Sequence, residues 1–328
     1  MKILKILSLT LVVLVIGAII LLYEGDIPKD VIDARYSSPA SQFLDLGHAG
    51  RIHYRDEGNR RDDAVILLHG ANASLHIWEP WVEQLSDRYR IITLDFPGHG
   101  LTGEVPSADY SHKAYVDVVS AIATHLGINR FVLAGNAMGG SVSWHYALAN
   151  QDQLRGLALI DSGGLPDWYR NDDRGGAVVA FKLLSQGWFH SFAERADPYY
   201  MTVQRINAAY NNNADIIDDD LIMRYYDLNM RAGTRRATLE RFGQTWSGDT
   251  PDLTLIKVPT LIMWGMADQL TPFSHAARFE ELIPDTVTAY YEDVGHIPME
   301  EVPLRSADDF TRFLESLEKE DQENPDQP

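Results

Sequence analysis

The side chains with the clearest chemical potential are a carboxylate and an imidazole far apart in the chain. Asp268 closes the run Trp264-Gly265-Met266-Ala267-Asp268, and His296 follows Gly295. An Asp that fixes one tautomer of a His and stabilises its charged form turns that His into a general base. A His alone on a loop is usually satisfied by the loop itself. Here each residue follows a strand-like run, which would let the pair meet. A third stretch, Gly135-Asn136-Ala137-Met138-Gly139-Gly140, has the Gly-x-nucleophile-x-Gly spacing of a sharp turn from strand to helix. Glycines two before and two after the centre suit a place where backbones crowd. The helix N-terminus that follows favours developing negative charge. Met138 N–H would be one oxyanion donor. Ala71 N–H, in Leu68-His69-Gly70-Ala71-Asn72, would be the other. The centre of the turn is Ala137, which offers neither a nucleophile nor a proton.

Around these, Asn72, Asn136 and Trp168 are candidate substrate contacts, and Asp161, at the end of another strand-like run, is a second-choice acid. The segment Asp95-Phe96-Pro97-Gly98-His99-Gly100 carries Pro and Gly suited to a sharp strand exit, a structural role. The His residues are scattered, with no helix-borne pair at ligand spacing, so no metal or other cofactor is expected.

These residues need a scaffold that brings strand ends together. Short apolar runs predict strands at Gln42–Leu46, Arg51–Arg55, Ala64–Leu68, Arg90–Asp95, Arg130–Ala134, Gly156–Asp161, Thr260–Trp264 and Val287–Tyr291. The later runs are nearly continuous Val, Ile, Leu and Ala, as in parallel strands buried on both faces. The first two, Arg51–Arg55 especially, alternate and suit an antiparallel edge. Helical patterns at Trp78–Ser86, Tyr115–Leu126, Gly140–Ala149, Ser274–Leu282 and Pro303–Leu317 intervene. Strands alternating with helices predict an α/β fold with a doubly wound, mostly parallel eight-stranded sheet. Ligands of such sheets bind outside the carboxyl ends of the strands, where the stretches carrying Ala71, Ala137, Asp268 and His296 lie. The alternation stops over 163–257, an aromatic-rich helical insertion expected to be a lid. The core is then 41–162 and 258–317.

The chain has 328 residues, no Cys and a formal net charge of −19. Without Cys there is no disulfide scaffold, thiolate nucleophile or Cys-ligated cluster. The negative balance argues against nucleic-acid partners. Residues Ile6–Leu22 carry no charge. Counted from Ile3, with only Lys5 interrupting, the run reaches the roughly 20 residues that a membrane-crossing helix needs. Lys2 and Lys5 precede it, and Glu24 and Asp26 follow. The positive-inside rule then keeps the N-terminus cytoplasmic. In a bacterium this predicts a single-pass inner-membrane anchor at 1–23 with the rest on the periplasmic or extracytoplasmic side. The run ends in Leu21-Leu22-Tyr23-Glu24, a poor cleavage site, so the anchor is expected to stay attached. Residues 24–40 are expected to be a linker, and 318–328 an acidic solvated tail. Oligomeric state is not readable.

Together, "LLHGANAS", "LDFPGHGLTG", "GNAMGG", "LIMWGMADQLTP" and "VGHIPMEE" make the chain resemble the α/β-hydrolase superfamily over nearly all of Gln42 to Leu317. It is most similar to the lidded esterase/lipase and carbon–carbon bond hydrolase branch. The resemblance implies Asp268 as the acid, His296 as the base, Ala71 and Met138 as the oxyanion hole, and a small-molecule ester or carbonyl substrate. It implies a Ser nucleophile where Ala137 stands. Three explanations fit that departure: a Ser-to-Ala replacement in an otherwise intact hydrolase, a non-catalytic ligand-binding pseudoenzyme, or a cofactor-free lyase or oxygenase working through the His296–Asp268 pair. In a serine hydrolase, losing the nucleophile costs about 10⁶ in rate and leaves roughly 10³–10⁴ over water. The chain as written is therefore expected to bind substrate and turn it over poorly.

Overall fold

Runs of Val, Ile, Leu and Ala form the centre of the sheet because helices cover both of its faces. The computed structural model describes residues 23–59, 64–165, 193–242, 244 and 251–323. Its strands are β1 (Ser41–Asp45), β2 (Arg51–Gly58), β3 (Ala64–Leu68), β4 (Arg90–Leu94), β5 (Phe131–Asn136), β6 (Leu154–Ile160), β7 (Thr260–Gly265) and β8 (Thr286–Tyr291). They make one sheet in the order β1-β2-β4-β3-β5-β6-β7-β8. The β1–β2 and β2–β4 pairs are antiparallel, and every other pairing is parallel. All eight expected strands are present. β3, β5 and β7 are buried along their whole length. Alternate residues of β3 serve opposite faces. Val65 and Leu67 join one core with Trp78, Trp81 and Phe310, while Ile66 and Leu68 join the other with Val118, Ile122 and Val142.

The helices are α1 (Lys29–Tyr36), α2 (Glu79–Leu85), α3 (His112–His125), α4 (Met138–Asn150), α5 (Tyr199–Ala209), α6 (Asp219–Met230), α7 (Thr234–Phe242), α8 (Ser274–Leu282), α9 (Pro298–Glu301) and α10 (Pro303–Glu323). The insertion between β6 and β7 supplies α5, α6 and α7.

Two expectations change. Residues 24–40, expected to be a linker, contain α1, and Ile32 at its centre is fully buried. The segment is fastened to the insertion. Arg231 forks onto the Asp33 carboxylate at 2.7 and 3.1 Å, Arg235 reaches Asp26, and Arg35 pairs with Asp227. The antiparallel edge expected of the first two strands is present, and the polar residues of β2 are buried within it. His53 and Arg55 are buried, because His53 bonds to Asp95 and Ser41 while Arg55 bonds to Glu79. Finally, the acidic tail does not begin at 318. α10 runs on to Glu323, since Glu, Lys and Gln continue a helix without needing a partner. Among the described residues no helix is long and apolar enough to cross a membrane. The run expected to be an anchor lies in residues 1–22, outside the described residues.

Candidate active site

The turn after β5 is strained as a nucleophile elbow requires. Ala137 sits at φ 52°, ψ −112°, a conformation that L-residues avoid. The flanking glycines are there because backbones touch. A Cβ on Gly135 would stand 2.3 Å from the Gly139 carbonyl carbon, and one on Gly139 would stand 2.2 Å from the Leu68 carbonyl oxygen. α4 begins at Met138, so its N-terminus opens at the elbow. The backbone N–H groups of Ala71 and Met138 donate to no backbone acceptor among the described residues. They have the availability that an oxyanion hole needs.

His296 and Asp268 meet. Nδ1 of His296 lies 2.7 Å from Oδ2 of Asp268, and both side chains are buried. The other oxygen of Asp268 accepts the N–H groups of Leu270 and Thr271 at 2.6 and 3.0 Å, which fixes the carboxylate. Nδ1–H therefore donates to the carboxylate, and the lone pair of Nε2 is left for the cavity that the ring lines. The loop is held from outside the core as well, because the His296 N–H donates 2.6 Å to the carbonyl of Ala209 at the end of α5. Asp161 lies with this pair, ligand-capable atoms of the three falling within 4.8 Å of one another. Its Oδ1 accepts the Gly265 N–H at 2.9 Å. Burial, and then the neighbouring Asp268, push its pKa well above the ordinary carboxylate range, which favours its protonated form. The imidazole takes Asp268 as its partner, not Asp161.

Ala137, Met138, Ala71 and His296 all line one cavity of about 300 Å³. Asn72 and Asn136 are on its wall, but their amides are engaged. Asn136 Nδ2 donates to the carbonyls of His296 and Ile160, at 2.9 and 3.3 Å, tying the base loop to the elbow. Asn72 Oδ1 accepts from Arg241 at 3.0 Å. Trp168 lies outside the described residues.

Two of the motifs act as supports. His69 is buried with Nδ1 2.7 Å from the Gly70 carbonyl, and its Nε2 accepts the Phe96 N–H at 3.1 Å, so the turn leading to Ala71 is pinned by a neutral ring. Burial lowers its pKa. Asp95 accepts from the backbone of Leu75 and Leu101 and from His53. Burial alone would raise its pKa, yet the His53 hydrogen bond and the neighbouring imidazoles hold it well below the usual carboxylate range. The structural role expected for the Asp95–Gly100 segment fits these contacts.

The sequence reading missed residues that the insertion and α3 bring to the cavity: Arg205, Arg241, Tyr225 and His112, with Ser141 from α4. Ser141 Oγ lies 2.9 Å from His112 Nε2. Burial, and then His145, push the His112 pKa down to about 4, so that ring is neutral too. One signal was available. Residues 231–241 hold Arg231, Arg235, Arg236 and Arg241 in a strongly acidic chain.

A sequence profile described as the alpha/beta hydrolase fold matches residues 63–303. The chain belongs to the alpha/beta hydrolase fold family. It is 26% identical, over 80% of its length and 89% of the relative's, to a 2-hydroxy-6-oxo-6-phenylhexa-2,4-dienoate hydrolase of Comamonas testosteroni. It is 25% identical to Lipase 1 of Psychrobacter immobilis, over 84% of each chain. Among solved structures, a membrane phospholipase A described as a bacterial virulence factor superposes with a TM-score of 0.72 at 22% identity. That match covers 97% of this chain and 99% of the other. At that identity the match speaks for the alpha/beta hydrolase fold alone.

Proposed function

We propose that this alpha/beta hydrolase is a serine-hydrolase-type site for an ester or related carbonyl compound, in which Ala137 leaves binding intact and turnover very low. The observation that carries the reading is the His296–Asp268 pair, held at 2.7 Å beside an elbow that keeps its strained turn. A fold with no use for that geometry would gain about 1–3 kcal/mol by relaxing the turn. With a hydroxyl at position 137, His296 Nε2 would take its proton as the oxygen attacks the carbonyl carbon. The oxyanion would rest on the N–H groups of Ala71 and Met138. His296 would return the proton to the leaving group, and water would release the acid by the same steps. The names of the relatives, a lipase and a carbon–carbon bond hydrolase, support this substrate range.

Two finer parts belong to the same proposal. The β6–β7 insertion acts as a lid, since α5, α6 and α7 all contribute side chains to the cavity. The apolar run at residues 1–22 anchors the chain in the inner membrane with the catalytic domain on the extracytoplasmic side. The charge pattern Lys2, Lys5 before and Glu24, Asp26 after supports that orientation.

The test compares the chain with its Ala137→Ser variant on short and long p-nitrophenyl esters. We expect a gain between about 10³ and 10⁶-fold. No gain, with tight binding of a small molecule, would establish a ligand-binding protein in its place. A second reading draws on the Nε2 of His296, which has no hydrogen-bond partner among the described residues, and in it the dyad deprotonates substrate or water directly. Turnover by the chain as it stands, abolished by His296→Ala, would establish that one.

A further inference from the structure

The cavity wall contradicts the charge of the molecule. The chain carries 47 acidic residues against 28 Lys and Arg. Yet none of the described residues lining the cavity is Asp or Glu, and two are arginines. Arg205, on α5, makes no hydrogen bond or ion pair among the described residues. Its surroundings disfavour its charge, through burial first and then through the neighbouring guanidinium of Arg241. Arg241, on α7, is buried and spans the two loops that carry the oxyanion donors. Its Nη2 donates to Asn72 Oδ1 at 3.0 Å, and its Nη1 lies 3.6 Å from Met138 Sδ. Asn72 follows Ala71, and Met138 follows Ala137.

Two guanidinium groups turned toward the same cavity repel each other and lose hydration. Among the described residues of this acidic chain no carboxylate pairs with Arg205. A guanidinium that lines a pocket without a partner among the described residues is suited to a planar or tetrahedral oxyanion, which it binds with a fork of N–H groups. We propose that the ligand is an anionic carbonyl compound, whose carboxylate or phosphate docks on Arg205 and Arg241 while its carbonyl faces the elbow. This rests on the functional reading above and names the substrate class within it. A soluble half-ester and a phospholipid headgroup supply the same chemistry.

Because the chain with Ala137 turns substrate over poorly, binding can be measured at equilibrium by calorimetry on the full-length protein. Two matched pairs serve as probes: monoethyl against diethyl adipate, and dioctanoyl phosphatidate against dioctanoylglycerol. The charged member of at least one pair should bind about tenfold tighter or more, a difference near 1.4 kcal/mol. The preference should shrink at high salt and fall to about threefold or less in Arg205→Met. Arg205→Lys, which keeps the charge, should retain most of it and guards against a simple folding defect. A preference confined to the adipates identifies soluble acids as ligands. One confined to phosphatidate identifies a lipid headgroup, and either supports the proposal. Equal or better binding of the neutral members, a preference that survives Arg205→Met, or no binding by any probe overturns it. The two readings fail separately. Hydrolysis of neutral esters by Ala137→Ser without any charge preference removes this inference alone. Charge preference without hydrolysis removes the serine-hydrolase reading alone.

Discussion

At most positions Ala→Gly destabilises a protein, and at 137 it should do the reverse. The turn holds Ala137 at φ 52°, ψ −112°, where a Cβ costs about 1–3 kcal/mol and glycine pays none of it. Two losses oppose the gain. The extra freedom of glycine in the unfolded chain costs roughly 0.5–1 kcal/mol. The methyl group is only partly buried, so its removal forfeits less than the ~0.8 kcal/mol of a buried CH₂. Middle values leave a gain of about 1 kcal/mol, which for a domain of this size raises the melting temperature by about 1.5–2 °C. The assay is thermal and urea unfolding of Ala137→Gly beside Ala121→Gly. Ala121 lies mid-way along α3 and should lose about 1 kcal/mol. If both variants lose stability by similar amounts, the elbow stores no strain, and its use as evidence for a retained active site fails.

Gly139→Ala should be among the most damaging single changes. Its new Cβ would meet the Leu68 carbonyl oxygen at 2.2 Å, backbone that cannot yield, so a loss of roughly 3 kcal/mol or more in urea unfolding is expected. Acid should destabilise the fold early. His69, His99 and His112 have lowered pKa values, so below about 6.5 the unfolded chain takes up protons that the folded chain does not, and stability falls with pH. His112 alone, shifted to about 4, can contribute up to ~3 kcal/mol. Asp95, held low, extends the loss below the ordinary carboxylate range. Asp161, held high, opposes it by binding a proton in the folded state. A urea midpoint unchanged between pH 7 and about 5 would contradict this balance.

The sheet was legible because its central strands have little choice. β3, β5 and β7 are buried on both faces, and an uninterrupted apolar run has few other uses. The Asp268–His296 contact was legible for a related reason: both residues sit just past the ends of adjacent parallel strands, so topology alone draws them together. Where interactions are between distant surfaces, the sequence was mute. Nothing local marks Lys29–Tyr36 as a docked helix, because its partners Asp227 and Arg231 lie about two hundred residues away. For Arg205 and Arg241 the arginine cluster at 231–241 was the one signal. Their meaning comes from which cavity they reach, and insertion helices carry no code for that. The alternation of Arg51–Arg55 marked the antiparallel edge correctly, but not that hydrogen bonds would let His53 and Arg55 be buried.

The bond from His296 to Ala209 joins the imidazole loop to the roof of the cavity. A hinge that swings α5 away to admit a bulky molecule must first break it, or else drag the ring out of line with Asp268. Entry and proton transfer thus share one mechanical part. Under the proposed lid reading, a molecule small enough to enter without moving α5 would leave the His296–Asp268 pair aligned, while a large one would disturb it until α5 returned.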